Sequence, residues 1–158
     1  MKHKKRVDIV HIELVKDSSV LYGDVEKGKR NINTPEEAAI FAASFFQNSD
    51  REKIYVCTLS ASMEPINMSL VSMGGMSECG VYVPEIFKTA ILSNCPNIMC
   101  IHNHPSGDIK PSYEDERITQ RLAQAGKLLG IKLQDHIIVG DNGTFFSFKK
   151  EGILEEIN

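Results

Sequence analysis

No run of about 18 apolar residues occurs in this 158-residue chain, so nothing in it reads as a helix that spans a bilayer. Nor is the start expected to act as a secretory leader. The basic start Lys2-His-Lys-Lys-Arg6 is followed not by an apolar core but by Val7–Val15, broken by Asp8, His11 and Glu13. The four cysteines (Cys57, Cys79, Cys95 and Cys100) form no CxxC pair and sit in apolar or irregular settings, which points to reduced, buried thiols and a cytoplasmic protein. In that compartment the sequons at Asn67 and Asn142 carry no meaning. Surplus charge is lacking too. A formal net charge of −3 and a pI near 6.0 give no strong pull on nucleic acid. DNA affinity is therefore expected to be weak or absent and to rest on the Lys2–Arg6 run, whose plainer reading is a solvated terminus. There is no internal repeat, low-complexity tract or convincing linker.

What is present is 42% hydrophobic residues, enough for one sizeable core and one domain. Residues 7–22 alternate loosely and predict one or two strands, followed by a charged loop from Gly23 to Arg30. Thr34, Pro35 and Glu37 form a helix start, and apolar Ala38, Phe41, Ala42, Phe45 and Phe46 carry that helix to near Ser49. Strands are expected over Ile54–Leu59 and Ile66–Ser72, and a second helix from Pro84 to about Ser93, where Pro96 prevents continuation. Asn97–Asn103 reads as a buried strand and Tyr113–Leu129 as a third helix stopped by Gly130. Lys132–Val139 and Thr144–Phe148 flank Asp141-Asn-Gly143, a hairpin signal. Interleaved helices and strands predict an α/β (α+β) fold with a mixed sheet.

The chemistry concentrates at His102 and His104. Alternate strand residues project from one face about 6 to 7 Å apart, so both imidazoles can converge on an ion at bonds of about 2 Å. Asp115, in the first turn of the next helix after a chain reversal, can supply a third ligand. Two histidines and one carboxylate leave a fourth position for water, the arrangement of a catalytic zinc. The same residues have a plainer reading. Ser112-x-x-Asp115 is a capping-box-like helix start, and His-x-His can be two packed, hydrogen-bonded histidines.

Taken together, His102-x-His104-x7-Ser112-x2-Asp115 resembles the signature of the JAMM (MPN-type) metalloproteases, and His102-Asn-His-Pro-Ser-Gly107 resembles their bacterial RadC-like branch. Asp135-His136-Ile-Ile-Val-Gly140 and Ser147-Phe148 are similar to that branch's closing strands. The resemblance covers roughly Thr34 to Gly152 and implies a curved mixed sheet flanked by helices. It places residues 1–33 as an N-terminal strand extension and 34–158 as the RadC-like domain. It also implies zinc, with Glu52 as the base that takes a proton from the zinc-activated water, and Ser112 as a hydroxyl donor to the oxyanion. Glu64 and Glu85 are the rival acids. The implied activity is hydrolysis of a peptide or isopeptide amide. The alternatives are a non-catalytic accessory module tied to DNA repair or a mobile element, and a metal-dependent nuclease, for which a basic groove is lacking.

The chain departs from the branch in two places. Val83-Pro84-Glu85 stands where Pro-Arg-Glu is usual, and the strand-like first thirty residues replace a helix-hairpin-helix module. Weaker signals are set aside. Gly23-x4-Gly28-Lys29 is followed by Arg30 and by no helix, so it is no phosphate loop. Cys100 has apolar neighbours and reads as a core thiol, and Asp108, beside Gly107, as a turn former. Asp135 and His136 should point to opposite faces, which favours a bracing role over one beside the metal.

Overall fold

The computed structural model describes residues 10–19, 22, 30–47, 49–74, 81–104 and 106–154. In chain order the elements are α1 (Pro35–Ala43), β1 (Lys53–Leu59), β2 (Pro65–Met73), α2 (Val83–Leu92), β3 (Asn97–Asn103), α3 (Tyr113–Leu129), β4 (Lys132–Val139) and β5 (Phe145–Ser147). The five strands form one sheet in the order β2-β1-β3-β4-β5. Pairing is antiparallel except between β3 and β4, which run parallel because α3 carries the chain back to the same end. The result is the expected α/β architecture, a mixed sheet flanked by helices.

Side-chain alternation along the strands builds two cores. On one face Ile54, Val56, Ile98, Cys100, Leu133 and Ile138 pack under α2 and α3, which contribute Ile86, Phe87, Ile118 and Leu122. On the other face Cys57, Leu59, Met99, Ile101, Ile137 and Val139 pack under α1, through Ala38, Ala39 and Ala42. A central strand covered on both faces has no polar side, and all seven residues of β3 are buried.

Helix α3 begins at Ser112 and ends at Gly130, whose φ of 70° is the left-handed stop that glycine supplies. Its buried residues Asp115, Ile118, Thr119, Leu122, Ala123 and Gly126 form one stripe toward the sheet. Thr34 caps α1 as expected, accepting from the Glu37 amide at 3.2 Å, while the Glu37 carboxylate reaches the Asn33 amide at 2.9 Å.

Several boundaries differ from the sequence reading. Helix α1 stops at Ala43, and Phe45 and Phe46 reach Tyr55 from the turns beyond it. The strands expected within residues 7–22 are not found in 10–19, which carry no regular structure and leave Val10 and Ile12 79% and 73% exposed. Alternation alone does not make a strand without a partner edge. Residues 7–9, 20 and 21 of that stretch, the Lys2–Arg6 run, Cys79 and the Gly23–Lys29 segment lie outside the described residues, and Tyr22 carries no regular structure. Among the described residues no helix is long and apolar enough to cross a membrane.

The Asp135 carboxyl is buried and is pushed up to about 6 by that burial. The Ser147 hydroxyl and the Lys149 and His136 amides donate to it at 2.6, 3.0 and 2.8 Å and offset only part of the cost. Since its unfolded value is about 3.9, the native protein holds a proton between pH 4 and 6 that the unfolded chain has released. The stabilising share is therefore complete below pH 4 and lost as pH rises through 6. Asp135→Asn should flatten that decline. Urea unfolding at pH 4 and pH 7 should show the wild-type minus variant difference changing by up to about 3 kcal/mol, in the direction of a relatively weaker wild type at pH 7.

Candidate metal centre

Asp115, His102 and His104 meet where the C-terminal end of β3 faces the start of α3. His102 is the penultimate residue of β3 and fully buried, and His104 follows the strand with a partly exposed ring. The rings present the same atom to a common point: His102 Nε2 lies 3.1 Å from His104 Nε2 and 3.1 Å from Asp115 Oδ1, with His104 Nε2 3.5 Å from Asp115 Oδ2. Four ligands at about 2 Å around a tetrahedral ion stand about 3.3 Å apart, so these spacings fit a small tetrahedral metal centre. The three residues form a group able to hold a metal ion.

The charge state of the donors also fits. His104 Nδ1 lies 2.6 Å from the Asp108 carbonyl, which can only accept, so that nitrogen carries the proton and Nε2 keeps its lone pair. Asp115 Oδ2 accepts from the Ser112 amide and hydroxyl, both at 2.7 Å, whereas Oδ1 is buried and receives no hydrogen bond. A buried carboxylate oxygen left without a donor is costly unless a cation faces it. Burial alone would raise the Asp115 carboxyl, but the two imidazoles and the Ser112 hydroxyl hold it well below the usual carboxylate range. The Asp115 carboxylate in turn raises His104 above its ordinary value, against the opposing effect of burial and with help from the Asp108 carbonyl and the charge of Glu52. Three electron-rich groups thus share a small space that calls for positive charge, either a proton or a metal ion.

Gly107 makes the His104 bend possible. It adopts φ 76°, its amide donates to the His104 carbonyl at 2.9 Å, and a Cβ there would meet Asp141 Oδ2 at 2.7 Å. The turn thereby brings the Asp108 carbonyl under the His104 ring. The Asp108 carboxylate accepts from the Lys110 amide at 2.9 Å and shapes the turn.

Glu52 precedes by two residues Ile54, the strand partner of His102, and lies near enough for its charge to act on His104. Asn103, between the two histidines, fastens that segment, with its Oδ1 accepting from the Lys53 amide at 2.9 Å and its Nδ2 donating to the Arg51 carbonyl at 3.3 Å. Glu64 lies beyond the far end of β1, about 20 Å along the strand. Glu85 sits exposed on α2 and pairs with Lys88 at 2.5 Å.

Ser112 completes a full capping box with Asp115, accepting from its amide at 3.2 Å. Cys100 is a core thiol, pushed up to about 12 by burial and then by the charge of Asp115. Asp135 and His136 do face opposite sides of the sheet. Asp135 braces β5, but His136 contacts His102, with its Nε2 2.9 Å from His102 Nδ1. The sequence reading missed Asn103 and Thr119 and gave His136 too little weight. Thr119 follows Asp115 by one helical turn on the buried stripe, a signal available in the spacing.

A family profile for the RadC-like JAB domain matches residues 32–153. The chain is 36% identical over 131 residues to a UPF0758 protein of Methanosarcina mazei, covering 83% of this chain and 57% of that protein. It is 41% identical over 123 residues to one from Desulforudis audaxviator, and 42% identical over 123 residues to one from Clostridium acetobutylicum. Both of those alignments cover 78% of this chain and 53% of the relative, so the chain spans a little over half the length of these curated relatives.

Proposed function

The chain belongs to the RadC-like JAB domain family, and from that premise we propose that it is a zinc-dependent hydrolase of the JAMM type acting on a peptide or isopeptide amide. The observation that carries this reading is the convergence of two imidazole nitrogens and one buried carboxylate, with His102 Nε2 3.1 Å from the undonated Asp115 Oδ1 and His104 Nε2 3.5 Å from Oδ2. A zinc ion held there supplies Lewis acidity that brings water within reach of deprotonation near neutral pH.

Glu52, whose charge acts on His104, takes the proton from the attacking water and returns it to the leaving amine. Ser112, exposed at the rim, donates its hydroxyl to the substrate oxyanion, giving up its present bond to Asp115 Oδ2. Asp115 keeps the Ser112 amide as a donor through that exchange. The free, buried thiols Cys57, Cys95 and Cys100 support a cytoplasmic setting. The acidic balance supports weak DNA affinity at most.

Elemental analysis of the purified protein, joined to a screen of peptide and lysine-isopeptide substrates, tests the reading. Ser112→Asn sharpens it. Asparagine is as good a cap, so helix stability should change by well under about 1 kcal/mol. Loss of the hydroxyl donor should lower turnover about 100- to 1,000-fold with zinc retained. Near-normal turnover in that variant would leave Ser112 with its capping role alone.

A further inference from the structure

We propose that Thr119 and His136 are positioning residues that fix His102 in its Nδ1–H tautomer, so that its Nε2 lone pair is aimed at the metal before any metal arrives. This rests on the zinc-site reading above. Each link has a forced direction. The Asp115 carbonyl can only accept, so the Thr119 hydroxyl donates to it at 2.6 Å. That uses the one proton the hydroxyl has. The 2.6 Å contact between Thr119 Oγ1 and His136 Nδ1 must therefore be donated by the histidine.

His136 is fully buried and bonded to no carboxylate, so it is neutral and has a single N–H. With that proton on Nδ1, its Nε2 is bare and accepts at 2.9 Å from His102 Nδ1–H. His102 Nε2 is then bare in turn, and it is this atom that faces His104 and Asp115.

The chain begins at the backbone of one ligand and ends at the ring of another, so it ties α3 to β3 through β4. Phe148 fixes the plane of its middle member, lying over the His136 ring at 4.9 Å with 9° between planes. Thr119, His136 and His102 are each no more than 1% exposed. His104 receives the same instruction in one step, from the Asp108 carbonyl. A ligand histidine in the wrong tautomer presents N–H where the metal needs a lone pair. Losing such a partner typically weakens metal affinity about 10- to 100-fold.

The test uses full-length protein freed of metal, with zinc affinity measured by competition with a chromophoric chelator. Tautomers are read from long-range proton–nitrogen spectra of the imidazole rings in the metal-free state. Thr119→Val removes the hydroxyl at constant shape and should weaken zinc binding about 10-fold or more, with His136 and His102 each populating a second tautomer. Thr119→Ser should restore both measurements. His136→Gln, whose amide oxygen can accept from His102, should bind more tightly than His136→Leu. His102 protonated on Nε2 in the metal-free wild type would overturn the proposal. So would equal zinc affinity in wild type, Thr119→Val and a folded His136→Leu. A wild type that binds no zinc would overturn the hydrolase reading instead, and the ring spectra would then judge the relay alone.

Discussion

His104→Ala should yield a folded protein that has lost nearly all of its zinc. His104 lies past the end of β3 with a partly exposed ring whose hydrogen bonds are to the Asp108 carbonyl and the other site residues. Truncating it opens no core cavity. What it removes is one of the three proposed ligands, and the loss of affinity should exceed the about 10- to 100-fold that follows from losing a ligand's partner. Elemental analysis and a melting curve on the same preparation separate loss of metal from loss of fold. His102→Ala is less clean, because His102 is fully buried and terminates a hydrogen-bonded chain. Stoichiometric zinc in the double variant His102→Ala/His104→Ala would end the site assignment. Protons and zinc compete for the same atoms, and Asp115 raises the proton affinity of His104. Zinc should therefore be released at a higher pH than an unperturbed imidazole, titrating near 6.5, would allow.

Glu52→Gln should show the complementary pattern, with zinc retained and hydrolysis lost. A positioned general base contributes about 100- to 10,000-fold, and glutamine keeps the shape while losing the basic oxygen. The segment should stay in place, since Asn103 holds it through the backbone of Arg51 and Lys53 and not through the Glu52 side chain. Glu64→Gln and Glu85→Gln serve as controls. Normal turnover in Glu52→Gln together with loss in either control would move the base elsewhere.

The sites of strongest local signal were legible in the sequence. A run such as Asn97–Asn103, with four consecutive apolar residues from Ile98 to Ile101 at its centre, has few fates other than a central strand. The Thr34, Ser112 and Gly130 helix ends depend on hydrogen bonds within a few residues, so their spacing announces them. His102, His104 and Asp115 were legible for the same reason, since a strand, a turn and a helix start fix their relation almost locally.

What failed depended on distant partners. Residues 10–19 have the alternation of a strand, but alternation does not say whether a sheet edge is there to receive it. His136 is separated from His102 by 34 residues, and only the parallel pairing of β3 with β4 sets the two rings side by side. Parity correctly sends Asp135 and His136 apart. Which of the two meets the site is decided by the register shift near Ile98 and Met99, and no local pattern encodes that shift.

Asp115 divides its carboxylate between two duties, starting α3 with Ser112 through Oδ2 and facing the histidines with both oxygens, Oδ1 toward His102 and Oδ2 toward His104. That division has a consequence for comparing descendants of this fold. A lineage in which the reaction is no longer selected would still be penalised for losing the Ser-x-x-Asp pair, because the helix continues to need its beginning. Survival of those two residues therefore says little about whether a relative still works. His104 carries no comparable structural burden, and it is the position where abandonment of the chemistry should first leave its mark.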